Sequence, residues 1–251
     1  MRPVLKVALG LIYFLPTCSA TSGPPCAPGQ GFGAVDISYR TSPSFLKRLR
    51  SIGISTVIRY YDWPDETLPG KTLTIGELAQ IKQNLLNVAV IFQHHNDKIA
   101  TFEDPNRGVL DANISLDLAR TFSQPANTAI YFGVDGVDSQ FLERNRNRDM
   151  TDKYGISSIK RYFADVNRVV AGSSYFVGAY GSGLVCRELL DSNLARYCWL
   201  ANARSWPEYA LFEATGRWSL KQSVSTKNCF GEEVDLNVMN GASANFGQWP
   251  P

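Results

Sequence analysis

Histidine is almost absent: the chain has two, His94 and His95, and they are adjacent. A Ser-His relay has little to draw on, and Gly181-Ser182-Gly183 lacks the G-x-S-x-G spacing that presents a nucleophilic serine. There is no H-E-x-x-H pair and no C-x-x-C spacing, so neither a metal nor a cofactor is expected. Gly31-Phe32-Gly33 precedes an apolar run instead of following one, and Gly178, Gly181 and Gly183 are wrongly spaced, which argues against a dinucleotide loop. Beyond residue 20 no stretch is apolar enough to span a bilayer, so no membrane association is expected of the mature chain.

Residues 1–20 read as a secretory signal peptide. Arg2 and Lys6 stand before an apolar stretch from Val7 to Leu15, and Cys18-Ser19-Ala20 ends in small residues suited to cleavage near Ala20. Lipidation at Cys18 is the alternative, with Thr17 an unusual residue at its side. Cleavage removes two positive charges and no negative ones, so the formal charge goes from +2 to 0. A neutral chain has no electrostatic case for nucleic acid. Of five cysteines, Cys26, Cys186, Cys198 and Cys229 remain. Four cysteines in an exported protein fit two disulfides, with all three pairings open. The expected location is therefore secreted or periplasmic.

Residues 21–30 (TSGPPCAPGQ) read as a Gly/Pro-rich tether, and 31–251 as one domain. Strands are expected at 32–38, 55–61, 88–93, 129–135, 174–180, 197–201, 218–223 and 232–238. Helices are expected from Ser42-Pro43 to about 52, from a Thr74/Glu77 capping box to about 86, and at 111–122, 154–171 and 183–191. Alternating strands and helices imply parallel strands joined by crossovers, and runs such as VAVIF imply burial on both faces. Eight such units predict a compact (β/α)₈ barrel of the TIM type; an open doubly wound sheet is the alternative.

Chemistry in such a barrel gathers at the C-terminal strand ends. There the sequence offers Asp36 and Ser38, then Arg59-Tyr60-Tyr61-Asp62, then Gln93 followed by His94-His95. Asp135, Tyr180, Trp199, Gln222, Asp235 and Asn237 complete the set. Asp and Asn also favour loops and caps, His94-His95 reads as an exposed loop, and Arg59 also suits a structural ion pair. Asp36, Asp135 and Asp235, however, lie inside apolar segments, where burial of charge is expensive. Three carboxylates at one mouth would raise one another's proton affinity, as acid/base sites require. Tyr60, Tyr61, Tyr180 and Trp199, with Trp218, suit stacking on sugar rings.

The segments GFGAVDIS, VIRYYD with KTLT, VAVIFQ, AIYFGVD, VGAYGSG and EEVDLNV occur in that order. From Gly31 to Asn240 they resemble a bacterial glycoside-hydrolase-like TIM-barrel domain, distantly similar to the family 25 lysozymes. Those lysozymes cut between N-acetylmuramic acid and N-acetylglucosamine. The link to the lysozymes rests on Asp36-x-Ser38, Asp135, Gln222 and Asp235-x-Asn237 and implies catalytic roles for Asp36, Asp135 and Asp235; ligand contacts are expected from Arg59, Tyr60, Tyr61, Gln93, Tyr180, Trp199, Gln222 and Asn237 at the strand ends. In the lysozymes strand four ends Asp-x-Glu, the glutamate being the acid; here that position is Val137. Asp138 could serve if the chain turns at Gly136, and Glu103 or Asp104 could lean in from the preceding loop. Two functions follow as expectations. One is a hydrolase of a peptidoglycan-like polysaccharide. The other is a barrel that binds such a glycan without cutting it.

Overall fold

The computed structural model describes residues 26–63, 70–144, 155–241 and 245–251. The signal-peptide and lipidation readings lie outside these residues. Eight strands close into a barrel in chain order: β1 Ala34–Asp36, β2 Thr56–Tyr61, β3 Asn87–Phe92, β4 Ala129–Gly133, β5 Phe176–Gly181, β6 Tyr197–Leu200, β7 Leu220–Cys229 and β8 Glu232–Met239. Among the described residues eight helices cover it: α1 Pro43–Ser51, α2 Ile75–Gln83, α3 Ile99–Glu103, α4 Arg107–Thr121, α5 Val137–Arg144, α6 Ile156–Val170, α7 Gly183–Asp191 and α8 Tyr209–Thr215. α3, α5 and α8 were not expected. All are short, and the first two lie in the connections that leave β3 and β4.

One strand departs from an all-parallel barrel. β8 runs antiparallel to both β7 and β1. Only Phe230 and Gly231 separate β7 from β8, whereas a parallel return needs a dozen residues or more. Both turn residues have positive φ, 55° and 90°, as a two-residue hairpin turn demands. β8 therefore enters at the mouth and descends, so Asp235 lies opposite Asp36 and Asn237 opposite Ala34 one layer below. The Cys26–Cys229 disulfide fastens the expected tether to the end of β7, and Cys186–Cys198 joins α7 to β6.

Strand alternation makes two apolar layers. Ile58, Ala89, Ile91, Tyr131, Trp199 and Leu220 fill the barrel interior. Val57, Tyr61, Val88, Val90, Ile130 and Phe132 face outward onto the helices. The C-terminal segment closes the bottom: Trp249 pairs with Val88, and the Tyr131 hydroxyl donates to Phe246 O at 2.7 Å. Gly247 passes so close that a Cβ there would lie 2.3 Å from Ala129 Cβ. Helix starts follow their caps. The Ser42 hydroxyl accepts from Phe45 N, and the Thr74 hydroxyl from Glu77 N. The expected reciprocal Glu77 contact is diverted, because that carboxylate takes Arg59 and Thr41 instead.

Candidate active site

The first and last strands bring two carboxylates together at the mouth. Gln222 Nε2 donates to Asp235 Oδ2 at 2.8 Å and reaches Asp36 Oδ2 at 3.5 Å. Asn237 Nδ2 donates to Asp36 Oδ2 at 2.6 Å, and its Oδ1 accepts from Trp199 Nε1 at 2.7 Å. Gln222 Oε1 accepts from the Tyr180 hydroxyl at 3.3 Å and from Asn202 N at 3.1 Å. Burial first and Asp235 second push Asp36 well above the usual carboxylate range, against the hydrogen bonds from Asn237 and Gln222. Burial raises Asp235 as well, with Glu233 adding to the rise and Ser225 opposing it.

Asp135 follows β4 on the other side. Gln93 Nε2 donates to its Oδ2 at 3.0 Å, and Lys71 Nζ donates to Gln93 Oε1 at 3.2 Å. Burial raises Asp135 and Asp97 adds to this; Gln93 and Lys71 pull it down. Tyr60 and Tyr180 connect the two carboxylate groups. Burial raises both phenols, and the charges of Asp36, Asp235 and Asp135 raise each further. The Lys71 ammonium lies 4.7 Å from the Tyr60 ring centre. Asp135, Tyr60, Gln93, Lys71 and Ser38 line an open polar pocket of about 380 Å³. Among the described residues no group of three or more His, Cys, Asp or Glu is placed to hold a metal.

Other candidates are placed elsewhere. Arg59 points outward from β2, fully buried, with Nε and Nη2 on the Glu77 carboxylate at 3.0 and 3.1 Å and bonds to Ile37 O and Gly70 O. Tyr61 also points outward, stacked on Phe122 with its hydroxyl donating to Gln124 at 3.2 Å. The next strand position faces the opposite way, so the structure brings Tyr60 to the mouth and not its two neighbours. Trp199 is buried in the floor, and Trp218 packs under α8. The chain does turn at Gly136 (φ 76°), where Trp206 covers the backbone, but the turn starts α5. Asp138 is fully buried in its first turn, bonded to the Ser182 hydroxyl and to Ser139 N. Val137 lies in the apolar layer with no exposed surface.

The pocket also holds residues outside the site expected from the sequence, Asp62, His94 and Lys71 among them, although the first two are noted at the strand ends. Asp62 directly follows β2, and Lys71 begins the KTLT segment. His94 is not the exposed loop residue expected; it is 9% exposed, its Nδ1 lies 2.8 Å from Asp62 Oδ1, and its ring stacks on Trp63. Its position one residue past Gln93, level with Trp63, was the available signal.

A family model described as the Rv2525c-like, glycoside hydrolase-like domain matches residues 47–243. No curated protein matches the sequence. The Mycobacterium tuberculosis Tat-secreted protein Rv2525c in complex with L-tartrate is similar at 21% identity and a TM-score of 0.63, over 87% of this chain and 99% of that one. An uncharacterized B. stearothermophilus protein is similar at 14% identity and a TM-score of 0.58, over 85% and 98% of the two chains. These likenesses are of fold.

Proposed function

The chain belongs to the Rv2525c-like, glycoside hydrolase-like domain family, and from that premise we propose that it is exported and hydrolyses a cell-wall-type glycan, peptidoglycan first, at the barrel mouth. The observation that carries this reading is the convergence of Asp36, Asp235 and Asp135 on Tyr60 and Tyr180. Glycosidic cleavage passes through a positively charged anomeric centre, which carboxylates stabilise. Asp135 suits that task, or the activation of a water, because it lines the pocket, where burial raises its proton affinity against the opposing pull of Gln93 and Lys71. Asp36 and Asp235 share the Gln222 amide, and two like charges so placed hold a proton more readily than either would alone. Tyr60 and Tyr180 offer ring faces and hydroxyls to a sugar. Two disulfides suit an oxidising compartment, in keeping with the signal peptide read at residues 1–20.

A binding barrel without turnover is the second reading, and a specific observation favours it. The position of the lysozyme acid is Val137, buried in the apolar layer, and its neighbour Asp138 is occupied by Ser182. The experiment is incubation of the oxidised chain from Thr21 with purified sacculi, with fragments analysed by mass spectrometry. Reducing-end muropeptides that fall about 10²-fold or more in Asp135→Asn support hydrolysis. Co-sedimentation without fragments supports the binding barrel. Neither fragments nor binding overturns the choice of glycan.

A further inference from the structure

We infer that His94, oriented by Asp62, is the proton donor of this mouth, in place of the carboxyl that position 137 does not supply. The inference rests on the hydrolytic reading above. β2 and β3 are parallel neighbours with Tyr61 beside Phe92, so Asp62 comes level with Gln93, and His94, one residue further on, reaches across to the Asp62 carboxylate. An ionised carboxylate only accepts, so Nδ1 carries the hydrogen of the 2.8 Å bond and proton exchange is directed to Nε2. This is the relation of a catalytic imidazole to its orienting acid.

The ring is braced on several sides. Trp63 stacks on it at 4.6 Å and 1°, while Trp63 N donates to the same Asp62 oxygen at 2.7 Å. The indole N–H donates to Asp111 at 3.0 Å; Arg107 binds Asp111 at 2.7 Å and His94 O at 2.5 Å; the Tyr162 hydroxyl binds Asp111 at 2.7 Å. Buried Asn96 ties the two reacting groups together. Its Oδ1 accepts from His94 N at 2.7 Å, and its carbonyl accepts from Asp135 N at 3.0 Å. His94 and Asp135 line the same pocket. Loop closure alone does not call for an imidazole on a carboxylate at the wall of that pocket.

In the step His94 starts as the imidazolium, with Nδ1–H held by Asp62, and its Nε2 proton passes to the glycosidic oxygen as the anomeric C–O bond breaks, both electrons going to that oxygen. A water adds its oxygen to the anomeric carbon and gives its proton to Asp135, and exchange with solvent resets both groups. Among the described residues, the charged and titratable groups around the imidazole include Asp62 after β2, Arg107 and Asp111 on α4, and His95, Asp97 and Lys98 on its own loop. Lys71 and Asp135 face it across the pocket.

The test compares His94→Gln with the native chain on two substrates, sacculi and a nitrophenyl glycoside of an N-acetylglucosamine oligosaccharide. On sacculi, kcat should fall about 10²–10⁴-fold with little change in KM, and one limb of the pH–rate profile should vanish. On the nitrophenyl glycoside the deficit should shrink to within about tenfold, because a good leaving group needs no proton. A native kcat on sacculi, or an equal deficit on both substrates, overturns the assignment while Asp135-dependent turnover leaves the hydrolytic reading standing. No turnover by the native chain on either substrate overturns both. A measurement independent of variants is ¹⁵N NMR of the two imidazoles. A neutral form of His94 that is the Nδ1–H tautomer, with an Nε2 signal shifted by an added N-acetylglucosamine oligosaccharide, supports the assignment. An Nε2–H tautomer, or signals indifferent to a bound oligosaccharide, overturns it.

Discussion

Arg59 on β2 and Asp36 on β1 are buried charges on neighbouring strands, but their surroundings are opposite. Arg59 looks outward and meets Glu77, which also takes the Thr41 N–H and hydroxyl. Every charge in that cluster has a counter-charge or a bond of fixed geometry. Asp36 looks inward and meets a second carboxylate, tempered by amides from Gln222 and Asn237. The outer cluster welds β2 to α2 and the loop at Gly70. The inner one retains a cost that packing alone would remove. Compensated burial belongs to structure here, and uncompensated burial marks the proposed site.

The largest expected effect is on the compensated side. Glu77→Ala strands the Arg59 guanidinium and should cost about 3–5 kcal/mol, read as a lowered denaturant midpoint. A loss below about 1 kcal/mol would break the contrast. Val137→Glu should follow, at about 3 kcal/mol near neutral pH and less in acid, because it puts a carboxyl into the outer apolar layer. It should not raise turnover on sacculi; a gain would mean that position 137 reaches the mouth.

Asp36→Asn should do the reverse. A carboxyl whose folded pKa is raised contributes stability below its unfolded value and loses it as pH climbs through the folded value. The variant lacks that loss, so it should melt higher than the native chain at pH 7 and lose the advantage towards pH 4. The slope is at most about 1.4 kcal/mol per pH unit for one proton. Turnover should fall all the same. Equal melting at both pH values would contradict the raised proton affinity of Asp36. Smallest is Tyr61→Phe, which removes the bond to Gln124 for about 1 kcal/mol and should leave glycan binding untouched, unlike Tyr60→Phe.

The barrel was readable because each strand is an apolar run set between helical repeats. The direction of β8 was in principle readable too. The expected strands at 218–223 and 232–238 leave eight residues between them, too few for a crossover helix. Asp36, Asp135 and Asp235 stood out as acids in apolar surroundings. The side chosen for Arg59 and Tyr61 did not follow from position at a strand end, because strand parity must also be fixed, and one anchor such as inward Ile58 would have fixed it. His94 looked like loop because its burial comes from Trp63 and Arg107, partners distant in sequence whose stacking no local pattern encodes.

The ring of strands has one seam, where the two ends of the chain meet, and the Asp36 network is built across it. The bond from Asn237 to Asp36 joins residues 201 apart, and the Cys26–Cys229 link spans 203. Such contacts carry the highest loop-closure entropy in the molecule and are slow to form, whereas the β7–β8 hairpin is local and fast. The carboxylate pair therefore comes into being with ring closure and not before it. A nascent chain short of β8, or either half of the fold alone, holds at most one of the two aspartates, and a full chain whose ring is still open holds both without the pair.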